Sequence, residues 1–493
     1  MKKTLILILL ITLYGSSISQ NSSEPKSYGP IPSERQLRWH ETEFYAIIHF
    51  TPTTFENKEW GYGDADPEIF NPSDFNALQI VAGAKAGGMK GVVFVCKHHD
   101  GFCLWPTNST DYNISKSPWQ NGLGDMVLEF RKACDSLNMK FGVYVSPWDR
   151  NNQYYGSKKY VDIYREQLKE IYTNYGELFI SWHDGANGGD GFYGGARELR
   201  NIDRTTYYGW DTTWAITRKL QPNACIFSDA GLDVRWIGNE KGIAGETCWA
   251  TYTPHGSIDE NRPVPGDTRY QEGINGHRNG DFWMPGECDV PLRQGWFYHE
   301  EENNNIKSVA KLKEIYLSSV GRGQCLDLGL APDISGRLHQ NDIDTLTRFG
   351  NWLQKTFENN LACYAKITAS NIRGKNKKQF GVKNLIDSSR YSYWATDDGV
   401  KEAEIIFKWK KPQKFKYITI RENIKLGHRI DSVAIYVLAG KEWEQVAFAT
   451  SIGALRIIEL EKPCYSDKIK ICILPSKAEP CISHIGIFNE GNK

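Results

Sequence analysis

Gly176-Glu177-Leu178-Phe179-Ile180-Ser181-Trp182-His183-Asp184-Gly185-Ala186-Asn187-Gly188 reads as a short apolar strand. It ends in an aromatic, a histidine and a carboxylate, and then breaks into a glycine-rich loop. A carboxylate at the carboxyl end of a buried strand is where α/β enzymes place reactive groups. Similar runs occur at Phe44 to Phe50, Gly91 to His99, Phe141 to Ser146, Ala224 to Ser228, Gly280 to Met284 and Cys325 to Leu330. Helical patterns lie between most of them, at about 73–86, 126–137, 159–172, 212–220 and 306–320. That alternation indicates βαβ units and a parallel sheet. No G-x-G-x-x-G opens the first helix and no G-x-x-x-x-G-K-[ST] occurs, which removes the usual nucleotide-binding readings. Polar residues follow many different strands, so a (β/α)8-type barrel with loops converging on one mouth is predicted over an open sheet.

After about residue 360 the pattern changes. Tyr417 to Ile420, Val433 to Val437, Arg456 to Leu460 and Ile469 to Ile473 follow one another without helices. This predicts an α/β barrel over 21–358, then an all-β antiparallel sandwich over 359–493. The segment Ser388 to Gly399, around Tyr393-Trp394, resembles discoidin-like (F5/8 type C) domains; the resemblance implies that this aromatic pair belongs to the sandwich core.

Lys+Arg and Asp+Glu are each 59, which argues against nucleic acid or an anionic membrane as the main partner. The 16 Trp and 25 Tyr suit sugar rings, whose C–H faces stack on aromatics while their hydroxyls seek hydrogen bonds. Lys2 and Lys3, the apolar stretch Leu5 to Leu13 and the small, polar Gly15 to Gln20 read as a secretory signal over residues 1–20. Export to the periplasm or beyond is therefore expected, with no membrane span. The 11 cysteines show no C-x-x-C pair and no zinc spacing. Mostly free, buried thiols are expected, with Cys464, Cys472 and Cys481 as the candidates for a bridge.

His49, the His98–His99 pair and His183 all end strands of one sheet. Strand alternation predicts that one of His98 and His99 faces the mouth and the other the shell. No H-x-H, H-E-x-x-H or G-x-S-x-G occurs, so neither a catalytic metal nor a serine nucleophile is expected. Two carboxylates fit best. A glycosidase needs one acid to stabilise positive charge at the anomeric carbon and another to protonate the departing oxygen. Asp184 is the first candidate. Glu240, Glu246 and Glu287 compete for the second, and spacing does not choose among them.

Ala46-Ile47-Ile48-His49-Phe50, Glu59-Trp60, Lys97-His98-His99-Asp100-Gly101-Phe102, Tyr144 and Trp182-x-Asp184 resemble the motifs of glycoside hydrolase family 29, the retaining α-L-fucosidases. Ser228 to Glu240, Pro285 to Val290 and Gly295 to His299 are similar to the branch acting on α-1,3/1,4-linked fucose, although Leu232 stands where that pattern has proline. The resemblance implies Asp184 as nucleophile and Glu240 as acid/base. It places His49, Glu59, Trp60, His98, His99, Tyr144, Trp182, Arg235, Glu287 and Trp296 around the substrate. Trp60 or Trp296 would cover the C5 methyl group, and an apolar neighbour such as Trp236 would keep Glu240 protonated. The implied substrate is a fucosylated oligosaccharide, with no cofactor. A hexosaminidase or galactosidase, or a glycan-binding barrel without activity, are the competing readings.

Overall fold

The computed structural model describes residues 23–490; the segment read as a signal, 1–20, lies outside them. Eight parallel strands close a barrel: β1 (Phe44–Ile48), β2 (Gly91–Lys97), β3 (Lys140–Val145), β4 (Ile180–Trp182), β5 (Cys225–Ser228), β6 (Val234–Trp236), β7 (Gly286–Pro291) and β8 (Cys325–Leu330). They neighbour one another in chain order, and β8 returns to β1 with Phe44 opposite Leu326. β1 and β2 are buried along their whole length, as continuous apolar runs in a helix-covered parallel sheet must be.

Helices α1 (Glu34–Thr42), α2 (Ala77–Ala86), α3 (Met126–Ser136), α4 (Lys158–Asn174), α5 (Trp210–Leu220), α6 (Val309–Ser318) and α7 (Gln340–Phe357) surround it. Several starts are fixed by side-chain caps: Asn76 accepts from Gln79 N, Asp125 from Leu128 N and Ser308 from Lys311 N.

Two sequence expectations fail on the β5–β7 side. The run Gly280 to Met284 is not a barrel strand. Its Phe282–Trp283 pairs antiparallel with Thr251–Tyr252 outside the barrel, and the seventh strand is Gly286–Pro291. The sixth strand, Val234–Trp236, follows the fifth after a short turn instead of a helix. Asp233 holds that turn: its carboxylate accepts from Ile226 N at 2.8 Å and pairs with Arg35 at 3.0 Å and Arg218 at 2.7 Å.

The C-terminal region contains β9 (Lys366–Ala369), β10 (Trp394–Ala395), β11 (Ala403–Glu422), β12 (Ser432–Ala439), β13 (Glu442–Thr450), β14 (Arg456–Ile473) and β15 (Cys481–Phe488). They form one seven-stranded antiparallel sheet. The long β11 and β14 carry irregular registers near their middles. Their first and last halves therefore take different neighbours, β9 and β12 in one case, β15 in the other. Trp394 is fully buried and its indole donates to Asn371 O at 3.0 Å.

The sheet is tied to the barrel. Arg278 pairs with Asp431, Arg456 with Glu246, and Arg421 with Glu43 at 2.8 Å. All eleven cysteines are free, including Cys464, Cys472 and Cys481, so no disulfide joins the strands of this sheet. Among the described residues no helix is long and apolar enough to cross a membrane.

Candidate active site

The carboxyl ends of the barrel strands converge on a cavity of about 180 Å³. His49 follows β1, His98 and His99 follow β2, Tyr144 lies on β3, and Trp182 and Asp184 end β4. Glu240 enters from the loop after β6, Asp289 from β7, Trp296 from the loop beyond it, and Trp60 from the loop after β1. A shallower cavity of about 520 Å³ opens beside the first and shares Trp182, Asp184, Ala186, Glu240 and Asp289 with it; Arg204, Asp229, Trp236, Tyr270 and Gln271 extend its wall.

Asp184 is a quarter exposed. Oδ1 accepts from Ala186 N at 2.6 Å and Oδ2 from Tyr144 Oη at 3.2 Å. Burial raises its pKa above the usual range, against those two hydrogen bonds. Burial also raises the pKa of Glu240; the Trp296 indole counteracts this, while Asp184 and Glu59 add to it. The polar group beside Glu240 is thus Trp296. The Trp236 indole donates instead to Asp289 at 2.7 Å, although Trp236 does line the outer cavity with Glu240.

His98 and His99 both line the inner cavity, contrary to the alternation argument. β2 stops at Lys97 with an irregular register, and the chain turns there, so the two rings lie side by side with centroids 4.1 Å apart. The flanking charges hold that turn. Lys97 is buried against Asp149 at 3.3 Å and Gln167 at 2.8 Å, and Asp100 accepts from Thr51 at 2.6 Å and Thr53 at 2.9 Å.

Burial pushes His49 and His99 down to about 3, and His98 well below its ordinary value, so all three are neutral. Ser146 Oγ donates to Trp148 O at 2.7 Å and sits 2.7 Å from His99 Nδ1. Nδ1 therefore carries the proton, and Nε2 presents a lone pair 4.0 Å from Asp184 Oδ2, where a hydroxyl can donate. Nδ1 of His49 and of His98 is buried without a partner. Trp60, half exposed, meets His99 edge-on with centroids 5.3 Å apart.

Four further candidates lie elsewhere. Arg235 is fully buried outside both cavities; it donates to Gly273 O at 2.9 Å, Trp249 O at 3.0 Å and Met284 O. It is a backbone clamp, shut off from both cavities. Glu287 is fully buried beneath the pocket, where Tyr45 and the Trp182 indole (2.6 Å) donate to it. Glu59 stands behind the wall and accepts from Trp296 N at 2.8 Å and Phe297 N at 3.2 Å, and it pairs with His299 at 2.8 Å. A Cβ at Gly295 would meet the Glu59 carboxylate, so a side chain there would displace Glu59 from these bonds. His183 turns into the shell against Tyr164 Oη at 2.9 Å. The rival Glu246 is bound to Arg456 and Arg322 at the domain junction.

The sequence reading missed Asp229, Arg204, Tyr270, Gln271 and Asp289 as cavity walls. Asp229 accepts from Gly266 N at 2.7 Å and Tyr270 Oη at 3.1 Å, and burial pushes its pKa up to about 7. Asp289 could have been found by strand alternation from Glu287; Arg204 and Asp229 sit in turns, and Tyr270 and Gln271 on a single helical turn (Tyr270–Gly273) too short to show periodicity.

Among the described residues, His255, Glu272 and His277 are close enough to hold a metal ion. His277 Nδ1 accepts from Thr253 N at 3.2 Å, so its Nε2 is protonated and faces Glu272 at 3.7 Å. That is a hydrogen-bonded clamp rather than a ligand set.

Residues 23–358 match the family model for alpha-L-fucosidase. Alpha-L-fucosidase 1 of Arabidopsis thaliana is 38% identical over 98% of this chain and 93% of its own. A glycoside hydrolase 29 family member from an unknown rumen bacterium superposes with a TM-score of 0.83 at 38% identity, over 95% of this chain and 79% of that one. A Ruminococcus gnavus GH29 fucosidase in complex with fucose superposes with a TM-score of 0.84 at 31% identity, over 95% and 97%. The chain belongs to glycoside hydrolase family 29 and is an α-L-fucosidase.

Proposed function

We propose that the enzyme is retaining and works by double displacement on α-1,3/1,4-linked fucose of branched oligosaccharides. The observation that carries the mechanism is that Asp184 and Glu240 reach one cavity from different strands, each with its pKa raised by burial. Asp184 attacks the anomeric carbon while Glu240 protonates the leaving oxygen; Glu240 then takes a proton from the water that releases the sugar. His49, His98 and His99, all neutral, meet the fucose hydroxyls as donors or acceptors. Trp60 and Trp296 meet its apolar edge. The outer cavity receives the rest of the glycan.

Linkage preference rests on the resemblance of Ser228 to Glu240 and Pro285 to Val290 to that branch, and on the open second cavity beside Glu240. Export rests on Lys2, Lys3 and the apolar Leu5 to Leu13. The C-terminal sheet, discoidin-like around Tyr393-Trp394, braces the barrel through Arg456–Glu246 and Arg278–Asp431. Product analysis on a Lewis-type trisaccharide beside a simple aryl fucoside tests the reading. Faster release of fucose from the trisaccharide is expected; equal rates remove the linkage assignment, and release of galactose or N-acetylhexosamine removes the substrate.

A further inference from the structure

Inside the barrel lie three acids that the double displacement does not use: Glu287 and Asp327 beneath the pocket, and Asp289, which lines both cavities. Glu287 and Asp289 are two apart on β7, so both face the interior. Asp327 on β8 is the register partner of Asp289, and Tyr45 on β1 is the partner of Asp327. Glu287 and Asp327 are fully buried and Asp289 nearly so. Both carboxyl oxygens of Asp327 lack any partner.

The ionisable groups whose charges bear on this cluster are Tyr45 from β1, Cys325 from β8 and Glu240 from the loop after β6, none of them cationic; Asp289 also shares its cavity walls with Asp184, with the neutral His49, His98 and His99, and, in the outer cavity, with Asp229 and Arg204. The three acids also do not converge closely enough to chelate an ion. Buried carboxylates without a cation are too costly to stay charged, so protons must neutralise them. The cluster also touches the active site twice. Glu287 accepts from the indole of Trp182, which lies two residues before Asp184 and lines the pocket. Asp289 accepts from the indole of Trp236, on the strand that leads to Glu240.

We propose that Glu287 and Asp289 are positioning residues, kept uncharged by protons held within the Glu287–Asp289–Asp327 cluster, that set Trp182 against Asp184 and Trp236 against Glu240. Asp327, which no group donates to, holds its proton most firmly; Glu287 is pushed up to about 8 by burial. Rising pH strips the cluster, puts charge under the two indoles and spoils both catalytic carboxyl environments. The proposal rests on Asp184 and Glu240 being the catalytic pair.

The test is kcat/KM against pH for wild type, Asp327→Asn and Glu287→Gln. The substrate is an aryl fucoside whose leaving group departs without a proton, so that Glu240 does not set the alkaline limb. The amides mimic the protonated acids and cannot ionise. Both variants are expected to fold and to keep kcat/KM near neutral pH within about threefold; Glu287→Gln, which removes the group that ionises first, is expected to move the alkaline limb upward by at least about one pH unit, and Asp327→Asn, whose aspartate is still protonated there, to move it little. Wild-type stability should fall as pH rises through about 8, because the native state binds the extra proton; Glu287→Gln should flatten that slope. An unshifted alkaline limb in Glu287→Gln, or failure of both amides to fold, overturns the proposal, since Glu287 would then not be the group whose ionisation limits the rate, or a neutral isostere would not replace the native group. Asp184→Ala is measured alongside. Unchanged turnover there removes the catalytic pair itself, whereas lost turnover with an unshifted limb in Glu287→Gln removes the positioning cluster alone.

Discussion

The barrel carries two groups of acids that differ in depth. Asp184 and Glu240 sit at the mouth, touch the cavity and stand within reach of solvent; Glu287 and Asp327 lie in the interior, sealed off. Both groups have raised pKa values, for the same first cause, burial. What separates them is access. A carboxyl that meets substrate can exchange a proton with it, and one packed under indoles can only hold a shape. Perturbed titration alone would have nominated all of them as catalytic; geometry divides them.

The comparison breaks most sharply at Asp184. Asp184→Ala is expected to lower kcat by at least about 10⁴-fold, measured by steady-state release of fucose, because it removes the carboxylate proposed as nucleophile. Glu240→Ala should cost about 10²–10⁴-fold on oligosaccharides and far less on fucosides with activated leaving groups, a contrast read by comparing the two substrates. Tyr144→Phe removes one donor from Asp184 and should cost about tenfold to a hundredfold in kcat, as expected for a lost hydrogen bond to a charged group.

The pH profile sharpens the same contrast. In the proposed double displacement Asp184 acts deprotonated and Glu240 protonated; the pKa of Asp184 is raised, so the acid limb is expected above that of a free carboxylic acid. The pKa of Glu240 is raised as well, so activity is expected to persist to higher pH than a free glutamate would allow. Both limbs of kcat/KM on an unactivated fucoside should therefore be displaced upward. The smallest effect on chemistry is expected at Arg235. Arg235→Met leaves buried carbonyls without donors and should lower the unfolding midpoint, while the folded fraction keeps its kcat/KM within about twofold.

The sequence was readable where a strand is apolar and ends in something polar. That signature located six of the eight strands and brought Asp184, His49 and the His98–His99 pair to one mouth. It failed where the interior itself is charged. Val234–Trp236 has a buried arginine at its centre, and Gly286–Pro291 alternates buried acids with apolar residues, so neither reads as a core strand. Glu240 was reachable through the family resemblance rather than spacing, because it stands on a loop. Arg235 and Glu287 were drawn into the substrate group because their segments carry the family pattern, yet their side chains satisfy backbone carbonyls and indoles instead. A motif marks a segment; which way each side chain points is settled by tertiary contacts.

The proposed double displacement requires that Asp184 become covalently bonded to fucose. A slow-turnover fluorinated fucosyl donor, followed by proteolysis and mass spectrometry of the labelled enzyme, tests it most directly. The account predicts a fucosyl adduct on the peptide containing Asp184. An adduct on Asp229, the next carboxyl along the same wall, or no adduct while the donor is consumed, would contradict it.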